Sequence, residues 1–346
     1  MDAVETMTYF GQVPWHGKGD PILPEERYSA KAGLQRGGID WDVELRPIYY
    51  QPNINLVEDF DGVQFNYEGI EQAKVVVRKT DQRVLGVVGP RYTPLQNHDA
   101  FEWFQPMFDA RLCAINAAGS LHNGEKVWIL AEIMGLAHEI VPGDEVARFL
   151  MISNSHNGTT SVRVGFTPIR VVCANTLAMA HSSAASKLIR LRHHKDIKLN
   201  LEKIRDIIDL ANQEFEATAE QYRFLAASRV AHADDLRKYV KLAAGVDPSI
   251  KDEDIPTRTQ NIMIELLEKI SSGIGTGIAG VKGTWWAAYN GVNEYLNYNK
   301  GRTADARLDN LWFGTEANNN LKLLNGAIKG AEGKIDDAFK NKVDSE

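Results

Sequence analysis

The chain is 346 residues long, 44% apolar and 25% charged, the composition of a folded globular protein with room for a large core, which excludes a largely disordered chain. Its formal net charge of −7 excludes attraction of the whole molecule to nucleic acid, so any polyanion site has to be a local patch. Only two cysteines occur, Cys113 and Cys173, in apolar contexts, which excludes a disulfide framework and fits reduced packing thiols.

In chain order, residues 1–40 are rich in turn formers, and the prolines and glycines of GQVPWHGKGDPILPEE predict an irregular N-terminal segment. From Trp41 to Leu136 the pattern has period two. VELRPIYYQ, KVVVRKT, RVLGVVG and KVWILAEI read as strands, joined by turn signals at Thr80–Gln82 and His122–Glu125. One helix interrupts them, capped near Asn97 or His98 and presenting Phe101, Phe104 and Met107 on one face. VARFLMISN and SVRVGFTPIRVVC continue the strands across the turn Ser155–Gly158, and Asn175 is placed to cap a helix beginning at Thr176. After Lys195 the apolar period becomes 3.6: Leu199, Ile204, Ile207, Ile208, Ala211 and Phe215 form a stripe, and helices follow at 236–242, 262–270 and 285–298. The expected fold class is therefore α+β, an antiparallel sheet with hairpins first and a mostly helical second half. The expected divisions are 1–40 irregular, 41–195 strand-rich core, 196–328 helical region and 329–346 polar tail.

Basic residues concentrate where strands give way to helices. Between 187 and 205 the chain carries seven Lys or Arg, including Lys187, Arg190, Arg192, Lys195 and Lys198, with His193 and His194 among them, against only Asp196 and Glu202. Such a run suits a phosphate backbone, because Lys and Arg displace condensed counterions without reading bases. A solvated helix start, paired with Glu202, Asp206 and Asp209 at helical spacing, explains it equally simply. Arg163 and Arg170 are seven positions apart, so an unbroken strand gives them opposite parity unless Gly165 and Pro168 introduce a bulge. Each suits a ligand contact or a structural ion pair.

Several attractive motifs have blander readings. Asn154, His156 and Asn157 have ligand-donor chemistry, but Asn and Gly at a bend cap their own turn. The histidines at 16, 98, 122, 156, 181, 193, 194 and 232 show no zinc spacing, and no catalytic triad, paired-carboxylate motif or nucleophile elbow occurs. SSGIGTGIAGVKG lacks the Lys-Ser or Lys-Thr of a phosphate loop and follows a helical pattern, so it reads as a connector. Trp285, Trp286, Tyr289, Tyr295 and Tyr298 have the spacing of a core seam rather than of a base-stacking face.

Pro14–Gly17, Ser153–Gly158, Arg163–Pro168, Arg170–Cys173, Asn175–Leu177, Trp286, Tyr289–Asn290, Glu294–Tyr295 and Trp312–Gly314, in that order, resemble a family of phage- and plasmid-like proteins gathered as a domain of unknown function. The resemblance implies a mobile element in a bacterial host. The strand-then-helix order with a basic handover also resembles, in architecture alone, the single-strand annealing proteins of phages. The expectation that follows is a cytoplasmic, non-enzymatic, homo-oligomeric protein that binds or anneals single-stranded DNA, with no cofactor, metal or membrane association. Arg163, Arg170, Lys187, Arg190, Arg192, His194, Lys195 and Lys198 are its expected nucleic-acid contacts. The alternatives are an interaction protein that sequesters a host factor and, third, an enzyme acting on nucleotides or nucleic acid.

Overall fold

A computed structural model describes residues 4–11, 19–51, 67–102, 104–135, 137–159, 163–170, 175–176, 201–301, 310 and 315–342; at 163–164, 170, 175–176, most of 201–214, 315, 317 and 341–342 it describes the backbone alone. The centre is an antiparallel sheet built from β1 (Val4–Tyr9), β2 (Asp20–Pro21), β6 (Cys113–Leu121), β7 (Lys126–Ile133), β8 (His138–Val141), β9 (Asp144–Ser155), β10 (Arg163–Arg170) and β11 (Asn175–Thr176). The strands lie in the order β11-β10-β9-β7-β6-β1-β2, with β8 also paired to β9, and only the β1–β2 pair is parallel. A second, three-stranded sheet contains β3 (Val43–Tyr50), β4 (Glu68–Arg78) and β5 (Val84–Val88).

The central sheet is covered on both faces, and its sequence shows why. Along β7, Trp128 and Leu130 enter the core shared with the helical half, while Val127, Ile129 and Ala131 enter the core beneath the second sheet. A strand buried on both faces carries an almost continuous apolar run, as KVWILAEI does. The second face is roofed by α1 (Ala30–Arg36), α2 (Asn97–Glu102), α3 (Gln105–Asp109) and the three-stranded sheet. Phe101, Phe104 and Met107 are fully buried there, as expected, although the helix is broken into two around Phe104, where Pro106 restarts it.

The other face carries the helical half: α4 (Leu201–Ala227), α5 (Ala233–Ala244), α6 (Thr257–Ser272), α7 (Trp285–Glu294), which continues as one wide π-type turn over Tyr295–Asn299, and α8 (Thr315–Ala331). Helix α7 is buried all round. Its neighbours approach through glycines: a Cβ on Gly291 would lie 2.5 Å from the Ile270 backbone nitrogen, and one on Gly330 would lie 2.2 Å from the Trp285 ring.

Four sequence expectations are corrected. The N-terminal segment is not wholly irregular, because Val4–Tyr9 is an inner strand of the central sheet. Strand β6 was unannounced, since its alanines, glycine and serine have low strand propensity; small residues are needed there because a Cβ on Gly119 would stand 2.3 Å from the Thr6 carbonyl oxygen. Thr176 does not open a helix but pairs with Ile169 in β11, and the rest of the expected helix lies outside the described residues. The C-terminal stretch, expected as a polar tail, is folded onto the helical half as far as Lys342. Ile335 is buried, Ala338 and Phe339 pack on the helical core, and Lys238 of α5 bonds Asp336 at 2.9 Å.

Candidate functional site

The turn between β9 and β10 directs its polar side chains inward. Asn157 Oδ1 accepts from the Thr159 backbone nitrogen at 3.0 Å and from the Ser155 and Thr159 hydroxyls, each at 2.6 Å, while its Nδ2 donates to Glu125 at 2.8 Å. The turn fits against β5 because Gly86 has no Cβ; one there would lie 2.4 Å from the Asn157 Cα. His156 is fully buried, with its ring 5.2 Å from that of Trp41 and its Nε2 2.8 Å from Asn97 Oδ1. Asn97 Nδ2 donates to the Ile39 and Trp41 carbonyls at 2.9 and 3.3 Å, which leaves Oδ1 as an acceptor and puts the proton on His156 Nε2. Asn97 is thus an internal fastener rather than a helix cap, and Asn154 also turns inward, to the Leu95 carbonyl at 3.1 Å. The turn reading holds for Asn157, which caps its own turn, whereas Asn154 lies in β9 and both it and His156 are tied to residues remote in sequence.

Arg78 sits beside this turn and had no local signal in the sequence. It bonds both carboxylate oxygens of Glu5 at 2.8 and 2.9 Å and both of Asp81 at 2.6 and 2.9 Å, with its guanidinium over the Trp41 ring. Hydrogen bonding to Arg78 is the main reason the Asp81 carboxyl titrates far below the usual carboxylate range. Other cations are engaged in the same way: Arg27 with Glu132, Arg36 with Glu26, Lys269 with Glu294 and Lys241 with Asp252.

At the opposite end of β9 the sheet hands over to the helices. β10 pairs with β9 without a register shift from Arg163↔Ser153 to Arg170↔Val146, so the bulge that would have reset the parity of positions 163 and 170 is absent. Arg170 also pairs with Asn175 in the edge strand β11. Lys187, Arg190, Arg192, His194, Lys195 and Lys198 lie outside the described residues, between β11 and α4. Helix α4 docks on β8 and β9 through charged groups. Arg148 donates to Asn212 at 2.6 Å, and His138 Nε2 lies 3.1 Å from Glu216 while its Nδ1 lies 3.4 Å from Arg223. His138, absent from the sequence reading, titrates below its ordinary value because burial disfavours its charged form, with Arg148 and Arg223 adding to the effect against Glu216. Nearby, buried Asp144 accepts from the Trp286 indole at 2.8 Å.

The remaining motifs fall on the structural side. Trp285, Trp286, Tyr289 and Tyr295 are core residues. The glycine-rich segment joins α6 to α7 and wraps a buried carboxylate: Glu294 accepts from the Ile274 backbone nitrogen at 2.7 Å and from Lys269 at 2.8 Å, so the amide and ammonium a phosphate would need already hold an anion. Among the described residues there is no group of three or more His, Cys, Asp or Glu able to hold a metal ion, and no helix long and apolar enough to cross a membrane.

These features define an α+β protein whose antiparallel sheet is covered on both faces, with a charged junction where sheet yields to helix. The chain belongs to the family described as Domain of unknown function (DUF932), whose model matches residues 84–312. That span begins at β5 and takes in both the β9–β10 turn and the basic run. No curated protein and no solved structure matches the chain.

Proposed function

We propose that the chain is a non-enzymatic, oligomeric protein of a phage or plasmid that binds and anneals single-stranded DNA in the cytoplasm of a bacterial host. The observation that supports this reading is the segregation of charge. Residues 187–205 hold seven Lys or Arg against two acids, so the rest of the chain is twelve negative within the total of −7. Many cations elsewhere are tied to carboxylates, as Arg78, Arg27 and Arg36 are. In this reading Lys187, Arg190, Arg192, Lys195 and Lys198 neutralise phosphates, with His194 among them. Arg170, whose backbone pairs with Asn175 of β11, is a further contact. Arg163, of opposite parity, serves a separate contact rather than the same wall of a groove.

The test is fluorescence anisotropy of a labelled oligothymidylate against the full chain, repeated over a salt series. Binding at low salt should weaken steeply as salt rises, with a logarithmic slope of about −0.7 per phosphate contacted. Changing both Arg190 and Arg192 to Ala should flatten that slope by about 1.4. Absence of binding at low salt, or binding untouched by the double change, overturns the proposal. The strongly negative remainder of the chain favours a second reading, capture of a basic host factor by a nucleic-acid mimic; one stoichiometric host protein copurifying without DNA is its expected signature.

A further inference from the structure

Helices α5 and α6 share an open surface groove. It holds about 580 Å³ and is walled by Leu236 and Val240 on α5 and by Met263, Ile264 and Leu267 on α6, with the Arg237–Asp252 ion pair and Glu253 also lining it. Ile264 and Leu267 stand on its lip, 55% and 40% exposed. Eight positions of α6 face solvent, and only Arg258 and Glu268 among them are charged. A solvated helix face ordinarily carries charged and polar residues, whereas this one projects Ile264 and Leu267 from its middle, as the apolar centre of a protein interface does.

We propose that this face is the contact between two copies of the chain, a two-fold dimer in which the α6 helices pair antiparallel and Ile264 and Leu267 of each copy enter the other's groove. Closed two-fold symmetry requires one patch that is complementary to itself, and this patch holds both the projecting side chains and the groove that receives them. The charges agree with that pairing. Arg258 lies near the start of α6 and Glu268 near its end, and neither has an ion-pair partner among the described residues. An antiparallel pair centred beside Ile264 brings Arg258 of one copy within a helical turn of Glu268 of the other. The surface gives the oligomer proposed above a specific contact and does not rest on nucleic-acid binding.

Sedimentation velocity of the full chain over a concentration series tests this. The expected result is a reversible monomer–dimer equilibrium. Ile264→Glu should raise the concentration at half-dimerisation about tenfold or more. Arg258→Glu and Glu268→Arg should each weaken the dimer several-fold, and the two together should restore it. All three positions are exposed, and unchanged circular dichroism confirms that each variant is folded. A monomer at every concentration, an assembly indifferent to Ile264→Glu, or a double variant no better than the single ones overturns the proposal. Oligonucleotide binding by the Ile264→Glu variant keeps the two proposals apart: the dimer can fail while binding persists, or binding can be absent while the dimer stands.

Discussion

The two faces of the central sheet are held by different physics. Toward the helical half the cover is aromatic: Trp285, Trp286, Tyr222, Tyr239 and Tyr289 are buried against one another and against Trp128 and Leu130, with glycines setting how closely the helices approach. Toward the second sheet the apolar cover is completed by polar ties between segments remote in sequence, Arg78 to Glu5, His156 to Asn97 and Asn157 to Glu125. Apolar burial is insensitive to pH and direction, while the polar ties select one register and depend on protonation. The helical face should therefore dominate stability, and the polar face should dominate its response to acid.

The largest expected effect is on the aromatic face. Trp286→Ala should destabilise the protein by about 3–5 kcal/mol, the range for emptying a buried aromatic site, and it also removes the indole donor to buried Asp144. Urea unfolding followed by circular dichroism measures it; a loss below about 1 kcal/mol would place the stability elsewhere. Next comes Arg78→Met, expected to cost about 2 kcal/mol, less than a fully buried pair because Asp81 is partly exposed. Its effect should depend on pH with a definite sign. Asp81 titrates below its ordinary value of 3.8, so its contribution is intact above that value and is lost as the pH falls toward the depressed one. The variant should lose that acid-dependent component.

A smaller effect is expected at the junction. His138 has its folded-state value lowered from 6.5, so its neutral form favours the docked α4; that contribution is complete above 6.5 and declines as the pH falls below it. Protection of the α4 amides, corrected for the pH dependence of intrinsic exchange, should fall between about pH 7 and pH 5.5, and His138→Gln should flatten the profile, for a change of under about 1 kcal/mol. An unaltered profile in the variant would remove His138 from the docking. The smallest effect belongs to Arg46→Ala. The Arg46–Glu44 pair is exposed on β3, and a melting curve should show a change within about 0.5 kcal/mol.

Much of the architecture was legible because it rests on short-range periodicity. The α+β order, the strands at 126–133 and 144–155, the Phe101-Phe104-Met107 face, the aromatic seam of α7 and the turn at 155–158 all follow from side-chain alternation or from the local chemistry of Asn and Gly. β6 escaped because a central strand of alanine and glycine is chosen by how closely β1 approaches, which no local propensity encodes. Arg78 and Glu5 escaped because 73 positions separate them. His138 escaped because its partners come from a helix that begins more than sixty positions later.

By itself the sequence determined which segments alternate, which coil, and where the cations gather, since each of these is a property of neighbouring residues. Only the tertiary structure decided that the N-terminal strand lies inside the central sheet, that β10 runs without a bulge and so separates the parity of Arg163 and Arg170, and that α5 and α6 leave an apolar groove open. Those outcomes depend on strand pairing and helix docking between distant segments, whose free energy comes from surfaces that meet only once the chain has folded.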